Sequence, residues 1–250
     1  MSTDDQDGAV TLDHLLGGRV TYRQPRAGFR ASLDPVLLAA AIPARPGERV
    51  LDGGTGAGAA LLCLAARVPG ILGVGIDRDP ALLRLARANA AANAWPGLAF
   101  VAGDLAASPL GGPFDHAFAN PPYHAPRGTP SPLASRDSAK RASSALLSPW
   151  VTSLSRPLRH RGTLTLILPP WALEPCLTAM READTPALCV FPLWPRQGEP
   201  ARWVLVRGRK QGRAPLRLAA GLVLHQASGA FRPEVEAILR DAAALDLDRM

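Results

Sequence analysis

Short apolar runs recur along this chain, and most of them stop at a glycine, an aspartate or a proline before a stretch with helical spacing begins. The runs Arg49–Leu51, Ile71–Ile76, Ala99–Ala102 and Phe114–Ala119 read as strands that end, in turn, at Asp52-Gly53, Asp77, Gly103-Asp104 and Asn120. Helical periodicity fills Ala59–Val68 and Pro80–Ala92 between them. Further on, Gly162–Leu168, Ala187–Leu193 and Arg202–Arg207 predict a fifth, sixth and seventh strand, with helices over Ser143–Leu158, bent near Pro149, and over Leu173–Glu182. A strand-like segment, Leu216–Leu224, and a helix over Pro233–Ala244 close the chain.

The front is patterned differently. A polar start, residues 1 to about 10, reads as disordered, and Leu12–Tyr22 with Gln24–Arg30 suits two short strands around a turn. Ser32 is placed to cap a helix with Asp34 and Pro35 in its first turn, Val36–Ile42 as its apolar body, and Pro43 and Pro46-Gly47 as its stop. Strands alternating with helices predict an α/β fold with a mostly parallel sheet, helices on both faces, and ligands bound beyond the carboxyl ends of the strands. The expected division is an N-terminal extension, 1–45, packed on a domain spanning 46–250 that includes the C-terminal strand and helix.

Composition narrows the class. At 250 residues and 47% hydrophobic the chain buries a full core. No apolar run is long enough to span a bilayer and the acidic start is unlike a signal peptide, so a cytoplasmic location is expected. Cys63, Cys176 and Cys189 lie far apart among apolar residues, without metal-ligand spacing, and read as reduced core positions. The net charge of +7 favours an anionic partner such as nucleic acid, although arginine-rich, lysine-poor usage also fits a GC-rich coding bias.

The chemistry gathers where the strands end. Pro121 and Pro122 push the residues before them into extended backbone and supply no N–H, so carbonyl acceptors stand beside the Asn120 amide with few competing donors. An amine on a nucleobase or an amide fits there, with Tyr123 as a stacking face, and a plain proline-rich turn is the alternative. Asp52, Gly53, Gly54, Thr55, Gly56 and Gly58 form a glycine-rich turn between a strand and a helix, a device shared with dinucleotide enzymes. Asp77 has the spacing of a carboxylate that accepts from ribose hydroxyls, and Asp104 either accepts from an adenine amine or caps a turn. The segment His124–Ser138 has few structural signals and reads as a substrate lid.

This set resembles the class I S-adenosylmethionine-dependent methyltransferases of the Asn-Pro-Pro-Tyr group. The resemblance implies a Rossmann-like, seven-stranded, mostly parallel sheet and S-adenosylmethionine as cofactor, with no metal. It implies that Asp52–Gly58 hold the methionine part, that Asp77 and Arg78 hold the ribose, and that Asp104 and Leu105 lie by the adenine. Asn120, Pro121, Pro122 and Tyr123 then bind the target amine. Within the group the chain is most similar to bacterial valine-tRNA adenine-N6 methyltransferases, through Gly17-Gly18-Arg19, Gln24–Arg30, the helix at Asp34, the four motif strands and Gly221–Phe231. Two departures stand out: Gly53 replaces a usual apolar residue, which loosens the strand end, and Ala142-Ser143-Ser144 replaces a more polar segment.

The implied reaction is in-line methyl transfer to an adenine splayed out of a tRNA anticodon loop, with positioning as the protein's main contribution. Arg19, Arg23, Arg26, Arg30, Arg127 and the 207–213 cluster are candidate phosphate contacts. A protein glutamine acceptor is the nearest rival, but the short N-terminal extension has no room for the helical module usual there. A guanine-modifying enzyme, a nicotinamide-dependent oxidoreductase and a silent nucleic-acid-binding protein are the others. A monomer is expected.

Overall fold

The computed structural model describes residues 10–27, 32–107, 111–122 and 147–248. The readings placed on Gly28–Arg30, Tyr123, the lid, Arg127 and Ala142–Ser144 lie outside them. Strands β1 (Val10–Leu15) and β2 (Val20–Pro25) pair as an antiparallel hairpin. Helix α1 (Leu33–Ala41) follows, then β3 (Arg49–Gly53), α2 (Ala59–Arg67), β4 (Leu72–Asp77), α3 (Pro80–Ala92), β5 (Leu98–Ala102) and β6 (Phe114–Ala119). A helix described over 147–155, α4, precedes β7 (Leu158–Leu168), α5 (Leu173–Glu182), β8 (Ala187–Trp194), β9 (Trp203–Arg209), β10 (Arg217–Leu218), β11 (Leu222–Val223) and α6 (Pro233–Asp241).

One sheet runs in the order β10-β8-β9-β7-β6-β3-β4-β5, with β11 also on β8. Only β9 is antiparallel to its neighbours. The seven long strands therefore form the expected mostly parallel, Rossmann-like sheet. From β3 the chain moves outward through β4 to β5, then returns to lay β6 on the other side of β3. A crevice opens at such a reversal, outside the carboxyl ends of the strands.

Because strand side chains alternate between faces, each central strand feeds two cores. Val50, Phe118 and Ile167 pack under α1, α2, α3 and α6, whereas Leu51, Ala117, Leu164 and Leu166 pack under α4 and α5. Cys63, Cys176 and Cys189 are buried free thiols, and burial pushes Cys63 and Cys176 up to about 12. Gly53 is buried between both neighbours' ladders, and a Cβ there would meet Leu105 at 2.8 Å and Leu154 at 2.9 Å. Two leucines fill the space of the missing side chain, so the strand end is packed and not loosened.

The hairpin is tied down by asparagines that periodicity did not reveal. Asn89 is fully buried on α3; its Oδ1 accepts from Arg23 N–H (2.8 Å) and its Nδ2 donates to the carbonyls of Arg23 (2.9 Å) and Ala57 (3.1 Å). One turn on, Asn93 makes the same pair of bonds to Thr21 (2.9 and 2.8 Å). The two amides act as a substitute strand edge for β2.

Three expectations change. Ser32 makes no side-chain cap bond to the helix; its hydroxyl donates to Asp34. The Leu216–Leu224 segment is broken into β10 and β11 by Gly221, whose φ of +85° and close approach to Pro192 admit no side chain. The 207–213 cluster lies at the amino ends of the parallel strands, the edge remote from Asn120, because Arg209 pairs with Thr163 at the start of β7's ladder. Arg207 is buried there and caps the carbonyl of Ala41 at the end of α1, while Arg67 serves Ala39 and Ile42. Lys210 donates to the Ala183 carbonyl.

Candidate active site

Four neighbouring strand ends meet at the crevice: β5, β4, β3 and β6 deliver Asp104, Asp77, Asp52–Gly58 and Asn120 to one edge. The register places Gly53 opposite both Ile76 and Ala119, so the glycine turn leaves the sheet between Asp77 and Asn120. The structure thus brings Asp52–Gly58, Asp77, Asp104 and Asn120 to one edge of the sheet, while Tyr123 lies outside the described residues.

The turn is held from below. Gly54 and Thr55 N–H both donate to the Ile76 carbonyl (2.8 and 3.0 Å), and Gly58 N–H donates to the Thr55 carbonyl (2.8 Å). Gly54 and Gly56 have φ of +68° and +56°, a region that penalises any Cβ. Among the described residues nothing lies within 4 Å of a Cβ built on Gly56, whereas one on Gly54 would strike the Trp150 ring at 2.6 Å. Trp150, on α4, therefore walls one side of the turn; its position in a segment read only as a helix gave no signal of that contact.

Two carboxylates shape the floor. Asp52 is buried and accepts from Thr55 Oγ1 at 2.7 Å. Burial, with a smaller contribution from the Asp77 charge and against the Thr55 hydrogen bond, pushes its pKa up to about 7. Asp77 accepts from Gly56 N–H through one oxygen (2.8 Å) and from Asp79 N–H through the other (2.9 Å). Arg78 is exposed beside it. Asp104 is exposed and accepts from Ala106 N–H (2.9 Å), the turn-capping alternative, and Leu105 turns its side chain into the core.

On the far side of the turn, Asn120 is half-buried and Pro121 buried, with Pro122 exposed. Asn120 Nδ2 donates to Asp34, a buried carboxylate in the first turn of α1 that also accepts from the Ser32 hydroxyl. Asp34 was legible only as a helix-start residue. Among the described residues no group of histidines, cysteines and carboxylates is arranged to hold a metal. The arrangement can seat a ligand against bare backbone, hold a cation near Asp52, and present acceptors to an N–H group.

Residues 32–147 match the family described as Methyltransferase small domain. The tRNA1(Val) (adenine(37)-N6)-methyltransferase of Actinobacillus succinogenes is 32% identical over 155 residues, 60% of this chain and 65% of that protein. The protein of the same name from Yersinia enterocolitica is 26% identical over 238 residues, 91% of this chain and 93% of its own length. A release factor glutamine methyltransferase of Rhodospirillum rubrum is 40% identical, but over 120 residues only, 45% of this chain and 37% of that one. Among solved structures, a predicted O-methyltransferase from Agrobacterium tumefaciens superposes with a TM-score of 0.72 at 25% identity, covering 85% of this chain and 98% of its own.

Proposed function

We infer that this chain, a class I S-adenosylmethionine-dependent methyltransferase, transfers a methyl group to the exocyclic amine of an adenine in tRNA, in the anticodon loop. The observation that carries the reading is the juxtaposition of an acceptor-rich Asn120-Pro121-Pro122 end with a glycine turn one strand away. The residues fit the cofactor. Bare backbone at Gly56 accepts the methionine part closely, and the buried Asp52 carboxylate favours its positive charge. Asp77, with Arg78, is assigned to the ribose, and Asp104, with the main chain of Leu105, to the adenine. When bound, the cofactor supplies a methyl group activated by a positive sulfur.

The chain's own contribution is orientation. Asn120 Oδ1 and the Pro121 carbonyl accept the two N–H bonds of the target amine, which points its lone pair away from the acceptors and toward the crevice. The amine of adenine satisfies this, with Tyr123 as the stacking partner of the base. A tRNA acceptor is favoured over glutamine because likeness to the adenine enzyme covers 91% of this chain, whereas likeness to the release factor enzyme covers 45% of it. The exposed Arg23 and Arg26 on the hairpin are the candidate phosphate contacts. No described helix is long and apolar enough to cross a membrane, and a cytoplasmic location follows from the proposed substrate.

Asn120→Ala tests the reading. Methyl transfer falls by about a hundredfold or more while cofactor affinity, measured by calorimetry, stays within about twofold. Wild-type turnover in that variant removes the assignment.

A further inference from the structure

We propose that Asp34 is a positioning residue that sets which face of the Asn120 amide meets the substrate, and so makes the site accept amines and reject carbonyls. The proposal rests on the reading of Asn120 given above. A carboxylate has no proton to give, so the Asn120 atom that hydrogen-bonds to it must be Nδ2. With Nδ2 engaged, Oδ1 is left to face the ligand, and the side chain offers an acceptor only. An amide free to rotate would offer its donor as readily and would bind a keto group in place of an amine.

Asp34 is built to hold that orientation. It is 2% exposed, lies in the first turn of α1 where the helix dipole favours negative charge, and has one oxygen fixed by Ser32 and the other by Asn120. It comes from 86 residues away in sequence and from outside the central sheet. α1 packs directly on α2 and reaches β7, so the carboxylate sits on a rigid support. The motif's asparagine is thereby oriented by the segment ahead of the glycine turn.

The chain contains three asparagines, Asn89, Asn93 and Asn120, so labelling asparagine nitrogen alone yields three side-chain amide signals. In Asp34→Ala the Asn120 amide signal shifts and exchanges faster while those of Asn89 and Asn93 stay. On total tRNA its kcat falls by about tenfold or more, with cofactor affinity within about twofold of wild type. Asn120→Asp sets two carboxylates together and inactivates the enzyme. Adding Asp34→Asn supplies a donor to the new carboxylate and recovers activity by about tenfold or more over Asn120→Asp alone, a rescue that a structural role does not produce.

An unmoved Asn120 signal in Asp34→Ala, an Asp34→Ala kcat within about twofold of wild type, or no recovery in the double variant overturns the proposal. Wild-type turnover in Asn120→Ala defeats the reading of Asn120 instead, and with it the proposed role. If tRNA is not the substrate, the amide signals still decide whether Asp34 fixes the side chain.

Discussion

Replacing Asp52 with asparagine removes a charge that the fold holds at a loss. The carboxyl rises from its ordinary 3.8 to about 7, chiefly through burial. A raised carboxyl favours the folded state fully below the unfolded pKa, and that advantage is lost as pH rises through the folded one. At 1.36 kcal/mol per pH unit the whole span is about 4 kcal/mol, and the part between pH 5 and pH 7 is about 2–3 kcal/mol. For a chain of this length that corresponds to a melting-temperature change of about 5–10 °C. Wild type is therefore expected to lose that much on passing from pH 5 to pH 8 through this group alone, and Asp52→Asn to lose less by the same amount. Thermal melts at both pH values, compared as a difference of differences, isolate the group from every other titration. S-adenosylmethionine, being cationic, favours ionised Asp52, so its binding to wild type releases protons near pH 6.5 and its binding to Asp52→Asn does not. Calorimetry in buffers of different ionisation enthalpy reads this directly. An identical pH dependence of melting in the two proteins refutes the reasoning.

Asp77→Ala removes the acceptor for Gly56 and Asp79 N–H, and with it the proposed ribose contact; cofactor affinity falls by about 10- to 100-fold in calorimetry, and an unchanged affinity removes the role. Asn89→Ala leaves three main-chain groups without their partner, and urea unfolding shows a loss of about 2–4 kcal/mol; the half-buried Asn93→Ala loses about half of that, and equal losses contradict the substitute-edge account.

Strands β3, β4 and β6 were legible because each is an apolar run stopped by residues that cannot continue it, and the same residues are the site. Helix α5 has the bounds that its helical spacing predicted, Leu173–Glu182. What sequence concealed is carried by contacts between distant segments. Asp34, Asn89 and Arg207 look like an ordinary helix start, an exposed helix position and part of a basic surface run. Each is buried because a partner far along the chain needs its hydrogen bonds: the Asn120 amide, the edge of β2 and the end of α1. Periodicity reports which face a residue occupies and is silent about what arrives at that face. Gly53 shows the converse, since its departure from the usual apolar residue is made good by Leu105 and Leu154 from other segments.

The central claim is that the methyl group goes to an adenine amine in tRNA. Incubating the protein with methyl-labelled S-adenosylmethionine and, separately, total tRNA, total protein or DNA, then digesting the labelled product, tests it most directly. The account predicts label in tRNA alone, recovered as N6-methyladenosine; label confined to protein, or recovered from another base, contradicts it.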